Sequence, residues 1–159
     1  MTPRGIRNNN PGNIRIGDPW QGLMPRDQMN DAQAAESEFC VFKSPKWGIR
    51  AIARVLITYQ DRRRAADGSR IDTVREIIER WAPPNENDTS AYVRAVRQAM
   101  GFNGGETVNL PDVTAYAAMR PLVEAIIRHE NGTQPYDAAT VDEGLRLAGR
   151  KPWRIDANL

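Results

Sequence analysis

Apolar residues in this chain recur at steps of three and four, and no alternating apolar/polar run lasts more than a few residues. A helix returns every third or fourth side chain to one face, whereas a strand alternates faces, so this spacing commits the chain to helices. Ile49, Ile52, Leu56 and Tyr59 form one stripe, Val74, Ile77, Ile78 and Trp81 a second, and Tyr92, Val93, Val96 and Met100 a third. The expected fold is mainly α, with a loop-rich N-terminal segment and at most a small β-hairpin. At 159 residues without an internal repeat, a single domain over 1–159 is expected, with enough bulk for a real core.

Caps and breakers divide the helices. Ser44 and Pro45 fit a cap and first helical position, and Asp72 reads as the cap of the next helix. Pro83-Pro84 ends that helix, and Asp88 or Thr89 starts another. Residues 102–106 read as a flexible connection, with glycines too few and badly spaced to cradle phosphate. Pro111 would open a helix that Pro121 breaks or kinks, and a fresh helix is expected from Pro121. Thr140-Val141-Asp142-Glu143 fits a capping box for a last helix starting near 137–140 and ended by Gly149 and Pro152. Residues 1–25 carry turn chemistry, residues 26–37 fit either a short helix or a loop, and residues 39–42 fit a short extended piece.

One helix ends in an acid. On the wheel of Leu122-Val123-Glu124-Ala125-Ile126-Ile127-Arg128-His129-Glu130-Asn131-Gly132, Met119, Val123, Ile126 and Ile127 share a side, and Glu130 falls in the middle of it. Asn131-Gly132 supplies the stop. Burial penalises the charged form of a carboxyl, which is the property a proton-donating acid needs. The plainer reading is a glutamate at the rim of a core, or one paired with one of the many arginines. His129 lies off the stripe and reads as a neighbour, not a catalyst.

The segment Arg4-Gly5-Ile6-Arg7-Asn8-Asn9-Asn10-Pro11-Gly12-Asn13-Ile14-Arg15 is dense in amides. It is either a hydrated loop or a polar wall, since Asn offers a donor and an acceptor to sugar hydroxyls and N-acetyl groups. Interleaved Ile6, Ile14 and Ile16 suggest that it is anchored.

The composition excludes several chemistries. Cys40 is the only cysteine and His129 the only histidine, so an intramolecular disulfide is excluded; metal clusters built on Cys or His, and a Ser-His-Asp triad, are poorly supported; no metal or cofactor is expected. A net charge of +2 with pI near 8.9 suits a mildly anionic partner. Arg62-Arg63-Arg64 is the only support for nucleic-acid binding, which is not expected. No stretch is long enough to insert into a membrane, and the N-terminus has no apolar signal segment, so another factor would have to deliver the protein to a cell wall.

Taken together, the Arg4–Arg15 run, Trp81-Ala82-Pro83-Pro84-Asn85-Glu86-Asn87-Asp88-Thr89 and Arg128-His129-Glu130-Asn131-Gly132 resemble a family of phage virion and lysis proteins with a lysozyme-like domain. A more distant likeness is to lytic transglycosylases and bacterial glucosaminidases. Gly12-Asn13-Ile14-Arg15 resembles their first loop, Phe39, Phe42 and Ser44 their second stretch, and Trp81-Ala82 with Tyr92 their third. The acid segment comes last here instead of first, which implies a circularly permuted order. The resemblance implies cleavage of peptidoglycan glycan strands, as a muramidase or lytic transglycosylase, by a monomer that rides in the virion or waits in the host cytoplasm. It gives Glu130 the role of general acid, and gives substrate-binding roles to Asn10, Asn13, Arg15, Trp81, Asn85 and Tyr92. A second carboxylate, if one is used, would come from Glu36, Glu38, Glu86 or Asp88. The competing expectation is a non-enzymatic glycan-binding or structural virion component.

Overall fold

The computed structural model describes residues 2–101 and 116–149. The protein is mainly α-helical. Seven α-helices lie among the described residues: α1 Arg4–Arg7, α2 Asp31–Ala34, α3 Pro45–Arg62, α4 Val74–Trp81, α5 Thr89–Ala99, α6 Tyr116–Asn131 and α7 Ala138–Leu147. A short 3-10 turn at Arg26–Gln28 precedes α2. Strand pairing among these residues is confined to isolated bridges such as Arg15–Phe39 and Leu23–Phe42.

The long helix α3 is the centre. Ile49, Ile52, Ala53, Leu56 and Ile57 are buried on it and meet Val74, Ile77 and Ile78 of α4, Val93 and Val96 of α5, and Met119 to Ile127 of α6 in one core. Each fully buried Ile or Leu contributes about 1.5–3 kcal/mol. Its most extensive packing is against α7, where Gly144 lies so close that a Cβ there would stand 2.5 Å from Ile49 Cγ2. A smaller cluster of Cys40, Phe42 and Ala51 sits under the N-terminal loops, flanked by Ile14, Trp20, Leu23 and Trp47. Arg120 ties α6 to α7 through Asp142 at 2.7 Å.

Several boundaries differ from the sequence expectation. The N-terminal turns enclose the short helix α1. Ser44 holds the cap position of α3, but its side chain makes no capping bond. Thr73, not Asp72, caps α4, because Glu76 stands three residues after Thr73 and completes a capping box with it. Asp137 caps α7 directly through the Thr140 amide, so Thr140-Val141-Asp142-Glu143 is not a capping box. Helix α6 runs through Pro121 instead of restarting there. Proline removes one backbone bond, while Ala118 and Met119 before it and Leu122 and Val123 after it are all buried, and their burial outweighs that loss. The connection expected at 102–106, the Pro111 helix start and the Pro152 stop lie outside the described residues.

Candidate functional site

The amide-rich loop is built mostly to hold itself. Asn8 is fully buried and donates to Glu36 Oε1 at 3.0 Å. Asn9 donates to the Phe42 carbonyl at 3.0 Å. Asn10, also fully buried, donates to the carbonyls of Ile14 and Cys40 and accepts from the Ile14 amide. Its amide is therefore spent inside the loop and faces no ligand. Asn9 and Asn13 have φ of 52° and 49°, a left-handed conformation that asparagine tolerates better than most residues.

Asn13 is the member of the run that turns outward to the acid. Its Nδ2 donates to Glu130 Oε1 at 3.1 Å, 117 residues along the chain. Glu130 Oε2 accepts from Tyr92 Oη at 2.8 Å and from Trp81 Nε1 at 3.4 Å. The N-terminal loop, α4 and α5 thus each contribute one donor to this carboxylate, which α6 carries. Among the described residues no Lys or Arg pairs with it; the ion pairs seen engage other acids. Glu130 is half-buried at the edge of the core, as the rim reading has it, but among the described residues it has no arginine partner.

Two supports fix this geometry. Asn131, next to Glu130, donates to the Pro11 carbonyl at 2.8 Å and to the Ile127 carbonyl at 2.9 Å, clamping the loop to the end of α6. Gly132, not Asn131, then takes the left-handed turn, at φ +74°. Gly12 lies against Ile52 and the Trp81 ring, where a Cβ would be 2.6 Å from Ile52 Cγ1. Trp81 therefore packs on the core and also reaches the site. Tyr92 is 2 % exposed, and its ring stacks on His129 with centroids 3.7 Å apart. Burial first, and the Glu130 charge second, push the Tyr92 hydroxyl far above its ordinary range, so it stays a donor.

Glu130 opens into a cleft of about 790 Å³, lined near it by Gly12, Asn13, Trp81, Ala82, Glu86 and Asn87. Arg15 stands on the rim, its guanidinium 5.1 Å from the Phe39 ring centre and 3.7 Å from Glu38. Asn85 is exposed and not among the lining residues; its neighbours Glu86 and Asn87 are. Of the other candidate carboxylates, Glu36 is held by Arg7 and Asn8, Asp88 accepts from the Ala91 amide it caps, and Glu38 stands in an exposed pair with Arg15. Glu86 alone of the four lines the cleft. Asp18 and Trp20 line it as well, and the sequence shows only turn chemistry around them. No cluster of three or more metal-ligating side chains occurs among the described residues, nor a helix long and apolar enough to cross a membrane.

Fold and site together define a mainly helical protein whose cleft presents one carboxylate held by neutral donors from three other elements. No family model matches the chain. It is 37% identical over 146 residues to Protein P5 of Pseudoalteromonas phage PM2, an alignment covering 89% of this chain and 79% of that protein, and the chain belongs to the family of that phage protein.

Proposed function

We propose that this protein cleaves the glycan strand of bacterial peptidoglycan, as a muramidase or lytic transglycosylase, with Glu130 as general acid. The observation that carries the reading is Glu130 itself, an acid facing a polymer-sized cleft and gripped by the neutral donors Asn13, Trp81 and Tyr92, with no ion pair to it among the described residues. Trp81 and Tyr92 both hold Oε2, whereas Oε1 has the single Asn13 bond. The reading assigns the transferable proton to Oε1, from which it passes to the bridging glycosidic oxygen as the bond breaks. Asn13 then exchanges its bond to the carboxylate for one to the sugar, and the Trp81 edge orients the adjacent ring. The developing oxocarbenium centre is stabilised by the substrate's own N-acetyl group or by Glu86 or Asp18, and is captured at C1 by water in a muramidase or by the C6 hydroxyl in a lytic transglycosylase, the proton of either returning to Glu130. The order of the three segments fits a circularly permuted lysozyme-like domain. The phage relative fits a place in the virion or in host lysis, with another factor bringing the protein to the wall.

The test is digestion of purified sacculi by the parent and Glu130→Gln proteins, with mass spectrometry of the released fragments. Glu130→Gln keeps the shape and removes the proton, so activity should fall by about two to four orders of magnitude while the melting transition survives. Anhydro and hydrated muramic ends differ by one water and separate the two reaction types. A folded Glu130→Gln protein that digests walls at the parental rate sinks the assignment. A parent that binds sacculi without cutting them is a glycan-binding virion component instead.

A further inference from the structure

The cleft at Glu130 continues beyond Tyr59. Asp18, Trp20, Val55 and Tyr59 line it and also line a second hollow of about 540 Å³, so the two form one groove across the outer face of α3. The charge is mixed in the first part and mainly basic in the second. Arg4 and Arg15 line the cleft together with Glu130, Glu86 and Asp18, whereas the far part is lined by Arg50, Arg54 and Arg63, with Asp18 shared by both.

Arg50 and Arg54 lie one helical turn apart on α3, and both are half-buried. Among the described residues neither makes an ion pair; the pairs seen involve other arginines. Arg50 Nε is buried without a hydrogen-bond partner, and Arg54 reaches the Ala148 carbonyl at 3.3 Å. Like charges one turn apart repel. Burial first, and the Arg54 charge second, hold the Arg50 guanidinium below its ordinary range. Among the described residues, two cations thus stand without an ion-pair partner in a groove that leads away from Glu130, with Asp18 the one acid lining the same hollow, and an anion seated there relieves both.

We infer that Arg50 and Arg54 bind the carboxylates of the peptide stems carried by the glycan strand. This rests on the glycan-cleavage reading of the Glu130 cleft. A strand running from Glu130 along the groove carries its stems at regular intervals, and each stem presents carboxylates. A guanidinium meets a planar carboxylate through two parallel N–H bonds, which fixes position as well as charge. The arm therefore sets the register of the strand over Glu130, so that the scissile bond is chosen by where a stem is held.

The test reads binding without turnover. Glu130→Gln protein is co-sedimented with purified sacculi freed of phosphate polymers, alone and combined with Arg50→Gln or Arg50→Gln/Arg54→Gln. The double change should weaken binding about tenfold. Arg50→Gln, which removes no hydrogen bond seen among the described residues, should give part of that loss and guards against a folding effect of the Arg54 change. Sacculi whose carboxylates have been converted to neutral amides should bind the parent as weakly as the double variant, and the double variant should not respond to the conversion. Equal affinity of parent and Arg50→Gln for untreated sacculi overturns the inference. So does a conversion that weakens both proteins alike, or a loss confined to binding of duplex DNA, which would make the groove a phosphate site. Failure of the parent to digest sacculi overturns the cleavage reading and leaves this binding readout intact.

Discussion

Asn10 and Asn13 sit three residues apart in one amide-rich run and have opposite roles. Asn10 is fully buried with three bonds to the loop's own backbone, while Asn13 spends its donor on Glu130. Composition alone could not separate them, because asparagine serves a turn and a sugar equally well. What separates them is which amides fold inward, and that depends on Phe42, Cys40 and Glu36 far along the chain. Asn10→Ala should cost about 2–4 kcal/mol, since it strands buried backbone groups. Asn13→Gly should leave the melting temperature nearly unchanged, because glycine accepts the left-handed φ of 49°, yet lower sacculus digestion roughly tenfold. Thermal melts and digestion rates on the same samples check both; full activity in Asn13→Gly removes Asn13 from the site. Glu130, by contrast, was legible from its place on the wheel, since an acid centred on an apolar stripe has few destinations.

At the scale of elements, the three stripes first read from spacing are the buried faces of α3, α4 and α5, with Tyr59, Trp81 and Met100 half-buried at their ends. Helical spacing carries that information locally. The misplaced starts have equally local causes: Asp72 and Thr73 are both good caps, and only the Glu76 partner decides between them. Pro121 misled because its local cost is visible in sequence and the burial on either side is not. The seat of the N-terminal loop on α3 was also hidden. Gly48 lies under that loop, and a Cβ there would stand 2.1 Å from the Asn9 carbonyl oxygen and 2.8 Å from Pro11. Both neighbours are backbone or ring atoms that cannot swing aside. Gly48→Ala should therefore destabilise the protein by about 1–3 kcal/mol despite the gain in helix propensity, as read by urea unfolding. A stabilised Gly48→Ala protein would mean that the loop does not rest there.

On the scale of the whole molecule, the N-terminal loops form a polar-pinned cap on a helical core, and Glu36 is the pin. Its side chain is 5 % exposed and receives Arg7 at 2.7 Å, Asn8, and the amides of Glu38 and Phe39. Burial alone would raise its pKa, but the Asn8 amide, the two backbone N–H groups and the Arg4 charge together leave it below the ordinary value of 4.5. A lowered folded-state pKa contributes stability that is complete above the unfolded value and fades as pH falls from there through the folded one. The cap should therefore loosen below about pH 4.5, and Glu36→Gln, less stable at neutral pH, should lose less on acidification. Urea midpoints at pH 7 and pH 3 test this; parallel losses in the two proteins would exonerate Glu36. The distance along the chain between the loop and the acid has a different consequence, one of time. Glu130 follows Asn13 by 117 residues, so on a ribosome adding roughly 5–20 residues per second the loop waits about 6–23 s for the end of α6. Through that interval neither the Asn131 clamp nor the acid exists. A chain whose synthesis stops before α6 therefore carries the loop without the clamp that seats it and without the carboxylate that Asn13 holds.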